Sequence, residues 1–312
     1  MIIEPIKQTK LYGLKNQFYE IINLYNRNKL PNKILLTGPK GVGKSTLAFH
    51  LINYIFSKNE EKTYDIKDNN INYQNKSFKL LHNGTHPNFH LIDVLDDNKF
   101  IEISQIRKMI LYTNKSSFDN RPKIILINNV ERLNKNSVNA LLKITEEPND
   151  NIYFIFIHDS NKKILKTLKS RCIYFKINLS FDSTIEITNH ILDQNIVELI
   201  NSDFLSYYYT PGNFVNLVNF SKKNNINLKT LELKKFLSFL IDGNYYKIDS
   251  YIKVSIYDFI ELYFLKIFIN SNFKNSIMSL YENFTTKIHE TNQFNLDKES
   301  LFMEFKLKIL NE

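Results

Sequence analysis

Apolar residues follow two rhythms along this chain, and the rhythm changes once. In the first part, short unbroken apolar runs alternate with stripes at helical spacing. Ile34-Leu35-Leu36, Ile124 to Ile127, Ile152 to Ile157 and Ile173-Tyr174-Phe175 are runs of buried-strand type, and His86 to Ile92 leads into another. Between them, Phe18, Ile21, Ile22 and Tyr25 share one helix face, as do Leu47, Ala48, Leu51 and Ile55. Ile106, Met109 and Ile110 make a third stripe, expected to be capped by Ser104. Val138, Leu141, Leu142 and Thr145 make a fourth, which Pro148 should stop, just as Pro31 follows the first. A short helix is expected over Lys162 to Lys169, and the Asn/Lys-rich residues 58–80 read as an exposed insertion. Strands alternating with helices predict a parallel α/β sheet.

Near residue 180 the strand-type runs cease. All seven prolines lie at or before Pro211, and after Gly212 the only glycine is Gly243. Without helix breakers, and with apolar residues such as Phe236, Phe239 and Leu240 at helical spacing, residues 181–312 are expected to be helical, split near Pro211-Gly212. The expected domains are 1–178, 179–215 and 216–312. The aromatic residues of the tail (Tyr246, Tyr251, Phe259, Tyr263, Phe264, Phe268) are expected in a core rather than on a base-stacking surface.

Candidate chemistry sits between the first strand and the helix after it. Gly38-Pro39-Lys40-Gly41-Val42-Gly43-Lys44-Ser45-Thr46 fits GxxxxGK[ST] at every fixed position. Three of the seven glycines fall there, which calls for a backbone reason such as positive φ or close approach of a ligand. A loop joining a strand to a helix N-terminus aims backbone N–H groups at an anion. Lys44 would reach terminal phosphates and the Ser45 hydroxyl would ligate Mg²⁺, so ATP with Mg²⁺ is the expected ligand.

Composition narrows the rest. A chain of 312 residues accommodates two or three domains. No apolar run approaches the roughly 18 residues of a membrane span. Met1 to Lys7 lacks the apolar core of a signal peptide, which makes cytoplasm the expected location. Cys172, the single cysteine, excludes an internal disulfide and an all-cysteine zinc site. His82, His86 and His90 have ligand-like spacing, but Pro87 breaks the helix that spacing needs. The net charge of +9 permits an acidic partner, while the general richness in Lys, Asn, Ile, Phe and Tyr accounts for it equally well.

The segments LTGPKGVGKSTLA, THPNFHLI, SQIRKM, KIILINNVERLNKNSVNALLKITEEPN and KTLKSRC, in this order, resemble the AAA+ clamp-loader family, most of all its bacterial DNA polymerase III delta-prime branch. The resemblance covers about residues 5 to 178. It is most specific in Asn139-Ala140-Leu141-Leu142-Lys143, Glu146-Glu147-Pro148 and Ser170-Arg171-Cys172. It implies a P-loop AAA+ parallel-sheet domain, a small helical lid and an all-α collar. It further implies a hetero-pentamer with other loader subunits, acting on a sliding clamp and primer–template DNA, with no membrane. Arg171 matches the arginine that reaches ATP held by a neighbouring subunit, an arginine finger in trans.

Departures from the family pattern qualify these expectations. Where active members carry an acidic pair, this chain has Asn128 and Asn129; an amide supplies neither charge nor a proton acceptor, so hydrolysis in its own site should be poor. Glu131 lies too far on to substitute. The sensor arginine expected near the lid is replaced by Thr210-Pro211-Gly212-Asn213, and the polar residue after the third strand is any of His158, Asp159 and Ser160. The four cysteines of the family's zinc module are missing from 58–85, so zinc is not expected. Lys162, Lys163, Lys166, Lys169, Arg171 and Lys176 form a basic cluster, either a solvated face or one turned to phosphate. Two other readings remain: an ATP-hydrolysing gamma/tau-type motor subunit, and a stand-alone DNA-binding P-loop protein.

Overall fold

Both faces of the sheet are covered at its three central strands, which is why those strands are continuous apolar runs rather than alternating ones. The edge strands Phe89–Ile92 and Ile173–Lys176 are partly exposed. The computed structural model describes residues 4–95, 99–146, 151–271, 275–294 and 296–310. Two compact units form: Met1–Ile187 with Thr210–Gly212, and Thr188–Tyr209 with Asn213–Glu312.

The first unit holds α1 (Lys15–Asn26), β1 (Lys33–Gly38), α2 (Lys44–Ser57), α3 (Lys76–His82), β2 (Phe89–Ile92), α4 (Ile103–Thr113) and β3 (Lys123–Ile127). Then follow α5 (Lys135–Glu146), β4 (Ile152–Asp159), the single turn α6 (Lys166–Lys169) and β5 (Ile173–Lys176). The five strands are ordered β2-β3-β4-β1-β5, all pairs parallel. On β1, Ile34 and Leu36 enter one core layer with Phe18, Leu47 and Leu51; Leu35 enters the other with Ile106, Met109 and Leu141. All the strand C-termini therefore lie at one edge, where a ligand loop belongs in a parallel sheet.

Three local expectations are corrected. The Lys162–Lys169 helix shrinks to α6, because Lys162 is held in a turn off β4: its N–H donates to the Asp159 carbonyl and its own carbonyl pairs with the His158 ring. Lys162, Lys166 and Lys169 thus do not share a helix face. The α4 cap is Glu102 in a reciprocal box with Gln105, and Ser104 donates to that glutamate instead. The insertion 58–80 is mostly exposed as expected, but it is not all loop: α3 begins in it at Lys76 and one side of it is buried. Its asparagines work internally: Asn75 caps α3 through Phe78 N–H and donates to the Lys62 carbonyl, while Tyr64 and Ile71 are buried in the core. The expected stop at Pro148 lies outside the described residues.

Arg121 ties this insertion to the sheet. Its guanidinium bonds Asp119, Glu60, the Ser77 hydroxyl and the Phe56 carbonyl, with both carboxylates partly buried. Arg121→Ala leaves two acids without their cation and should destabilise the protein by about 2–3 kcal/mol, read from urea unfolding. A change below about 0.5 kcal/mol would show the network to be solvated instead. The three histidines part company: His86 stacks on Phe56 (4.0 Å between ring centroids), His90 stacks on Tyr112, and His82 pairs with Asn83.

The helices that complete the chain are α7 (Phe181–Leu192), α8 (Ile196–Leu199), α9 (Pro211–Lys223), α10 (Leu233–Asp242), α11 (Tyr245–Ile248), α12 (Ile252–Asn270), α13 (Asn275–Phe294) and α14 (Lys298–Phe305). The second unit has its own aromatic core. Phe204, Phe236 and Phe259 meet edge-to-face, and Phe264, Phe284 and Phe305 pack together. Tyr246, Phe259, Tyr263 and Phe264 are buried, so they serve that core as expected.

Candidate nucleotide-binding site

The loop between β1 and α2 takes a shape only glycine permits at two points: φ is +83° at Gly41 and +100° at Gly43. Gly43 is the N-cap of α2 and has no side chain to cap it, so the N–H groups of the first turn open into the loop. Lys44 is buried, and its ammonium donates to the Gly38 and Pro39 carbonyls, each at 2.7 Å. Burial pulls its pKa down to about 8, opposed by the charges of Asp159 and Glu131 and assisted by Lys40. A cation held short of full solvation inside a ring of backbone dipoles is suited to an incoming phosphate. The cradle and its lysine fit a nucleotide phosphate chain.

The tripeptide Thr210–Gly212 lies against this loop. The Thr210 hydroxyl donates to the Lys40 carbonyl at 2.9 Å and Gly212 N–H to the Gly41 carbonyl at 3.1 Å. A Cβ on Gly212 would sit 2.7 Å from Gly41 Cα, so the approach requires glycine at position 212. The region where the family pattern places a sensor arginine therefore makes backbone contact with the phosphate loop.

The end of β3 supplies the other wall. Ser45 Oγ lies 3.5 Å from Asn128 Oδ1, a long contact. Asn129 follows in the left-handed region (φ +53°), a conformation asparagine tolerates. Both amides donate to one carboxylate, Asn128 Nδ2 to Asp93 Oδ2 at 3.0 Å and Asn129 Nδ2 to Asp93 Oδ1 at 2.7 Å. Glu131 accepts from Asp159 N–H. Of the three polar residues at the end of β4, His158 is engaged on both ring nitrogens, by Thr37 Oγ1 and the Lys162 carbonyl. Asp159 is the one whose charge acts on Lys44. Asp93 escaped the sequence reading; the available signal was an acid directly after a parallel strand.

Arg171 is elsewhere. It is exposed, donates to the Thr167 carbonyl at 3.2 Å, and precedes β5. Since Ile173 pairs with Ile34 in register, Arg171 is level with Asn32, and the loop begins at Gly38. Six residues of strand separate them, about 20 Å. Arg171 and the chain's own phosphate loop thus lie at opposite ends of the sheet. Beside it Ile173 and Tyr174 are exposed on the edge strand, with Lys169 over the Tyr174 ring. The other lysines of the basic cluster, Lys162, Lys163, Lys166 and Lys176, are exposed.

Residues 13–180 match the family model described as DNA polymerase III, delta subunit. The chain is 31% identical over 239 residues to a DNA polymerase III subunit gamma from Buchnera aphidicola subsp. Schizaphis graminum, covering 72% of this chain and 62% of that protein. It is 30% identical over 166 residues to a DNA polymerase III subunit delta' from Buchnera aphidicola subsp. Baizongia pistaciae, covering 51% and 48%. The chain thus spans roughly half to three-fifths of the length of these relatives. A DNA polymerase III gamma subunit-related protein from Thermotoga maritima shares the fold, with a TM-score of 0.52 at 16% identity, covering 91% of this chain and 96% of that one. No described helix is long and apolar enough to cross a membrane.

Proposed function

The chain belongs to the DNA polymerase III delta subunit family, and from that membership we propose that it serves as the delta-prime subunit of a bacterial clamp loader. In this reading it is a largely non-hydrolysing AAA+ scaffold in a cytoplasmic hetero-pentamer that places a sliding clamp on primer–template DNA. The nucleotide domain is 1–178, the lid 179–215 and the oligomerising collar 216–312. The observation that carries the reading is the end of β3, where Asn128 faces Ser45 at 3.5 Å and no carboxylate stands in its place.

In its own site, the backbone from Gly38 to Thr46 and the Lys44 ammonium would hold the phosphates of ATP, and Ser45 Oγ with Asn128 Oδ1 would hold Mg²⁺. Bound there, Mg²⁺ neutralises phosphate charge. The residue next to Asn128 cannot take a proton from water, because Asn129 is an amide whose nitrogen already donates to Asp93. In this reading the site holds nucleotide without an acid at position 128 or 129. Arg171 contributes in a neighbour's site, supported by its exposure and its distance from the chain's own loop; a rigid guanidinium there neutralises a γ-phosphate.

The gamma-type motor reading draws on the 31% identity to a gamma subunit. It requires acids at 128 and 129, and the chain has amides at both positions. The test is ATP turnover by the purified chain with primer–template DNA added. No turnover above background is expected, and DNA-stimulated turnover comparable to a motor subunit would overturn the proposal.

A further inference from the structure

The amides at the end of β3 are not free to choose which way they face. β2 and β3 pair through Ile92 and Ile127, and Asn128 N–H donates to the Ile92 carbonyl, so Asp93 stands level with Asn128 on the adjoining strand. Asp93 is itself fixed: its carbonyl accepts from Gln105 Nε2 at 2.8 Å, and its Oδ1 accepts from Val94 N–H at 2.7 Å. An ionised carboxylate only accepts hydrogen bonds, so a side-chain amide facing it must present nitrogen. Asn128 obeys this with Nδ2 at 3.0 Å from Asp93, which sends its oxygen towards Ser45. Asn129 obeys it as well, at 2.7 Å.

We propose that Asp93 is a positioning residue that sets the polarity of Asn128, presenting an amide oxygen rather than an amide nitrogen to the divalent cation of a bound nucleotide. The inference rests on the reading that the loop holds Mg²⁺–nucleotide. Here the carboxylate stands after β2 and the amides at the end of β3. The negative charge stands one residue back from the cation and acts through the amide it orients. The cation then meets a neutral oxygen, which suits holding a nucleotide rather than hydrolysing it.

Asp93→Asn tests this with little change of shape. Oδ1 at position 93 has two donors facing it, Val94 N–H and Asn129 Nδ2, so the new amide keeps its oxygen there and turns its nitrogen to Asn128. Two amide nitrogens cannot face each other, so Asn128 turns over and its nitrogen faces Ser45. The measurement is ADP affinity of the purified full chain, with Mg²⁺ and with EDTA. The wild-type ratio of the two dissociation constants should fall about tenfold in Asp93→Asn, while affinity in EDTA stays the same. Combining Asp93→Asn with Asn128→Asp, which returns the acid to β3, should restore the Mg²⁺ dependence. In the nucleotide-free protein, the side-chain amide NMR signals of Asn128 and Asn129 should both move in Asp93→Asn.

An unchanged ratio in Asp93→Asn, with Mg²⁺-dependent binding in the wild type, overturns the role of Asp93 and leaves the nucleotide reading standing. Absence of Mg²⁺-dependent binding in the wild type overturns both. If Asp93→Asn does not fold, Asp93→Ser decides, because it removes the carboxylate that orients Asn128: a folded protein with the wild-type Mg²⁺ dependence refutes the role, and one that loses it supports the role.

Discussion

Replacing Arg171 by alanine should lower ATP turnover of the reconstituted loader while leaving its assembly intact. A guanidinium that meets a γ-phosphate in the transition state is worth roughly 10³–10⁵ in turnover at that site. If Arg171 serves one of several active sites, as proposed, the assembly should lose the share belonging to that site. Assembly is expected to survive because Arg171 is exposed and donates to the Thr167 carbonyl within its own turn, outside the packed core. Arg171→Lys should not rescue, since an ammonium keeps the charge but lacks the planar fork. Size-exclusion chromatography separates lost assembly from lost turnover. Unchanged turnover in Arg171→Ala would remove the role in trans.

Lys44→Met should weaken nucleotide binding by on the order of a hundredfold, the loss of charged hydrogen bonds to phosphate in a buried site. The lysine also predicts a pH dependence that methionine cannot show. Burial lowers its pKa to about 8 in the nucleotide-free protein, whereas bound phosphate would hold it protonated. Above pH 8, binding therefore takes up a proton, and affinity should weaken up to about tenfold per pH unit. Calorimetry in two buffers of different ionisation enthalpy reads the proton directly. In the nucleotide-free protein the same depressed pKa acts on stability. Between pH 8 and the unfolded value near 10.5, the unfolded chain binds more protons than the folded one, so this group's contribution to stability rises with pH. A flat affinity profile in the wild type would show that Lys44 is not the phosphate contact.

The sheet was legible because its physics is local. Strands covered on both faces must be apolar at every position, so Ile124 to Ile127 and Ile152 to Ile157 read directly as buried strands. The phosphate loop was legible because its spacing is fixed by backbone shape, with Gly41 and Gly43 at positive φ. What failed depended on side-chain partners that neither spacing nor composition reveals. The asparagines of 58–80 have the composition of a loop, and only Lys62, Phe78 and Asn53 close by in space turn them into internal ties. Lys162, Lys166 and Lys169 have helical spacing, but the His158 ring claims the Lys162 carbonyl and the chain turns there instead. Asp93 acquires a role only when β2 pairs with β3, a register no single-chain pattern announces.

The site itself divides the same way. Lys44 and Ser45 follow from a motif, and the missing acids at Asn128 and Asn129 are plain in the sequence. That Arg171 stands about 20 Å from its own loop follows only from the parallel pairing of β1 with β5. The separation is what makes a role outside its own site physically reasonable.

On the proposed reading, this chain binds nucleotide in one site and assists catalysis in another. ATP binding and ATP turnover, assayed side by side on the purified chain and on the reconstituted loader, test it most directly. Mg²⁺-dependent binding without turnover is expected for the chain alone, with loader turnover that falls in Arg171→Ala. DNA-stimulated turnover by the chain alone, surviving Arg171→Ala, would contradict it.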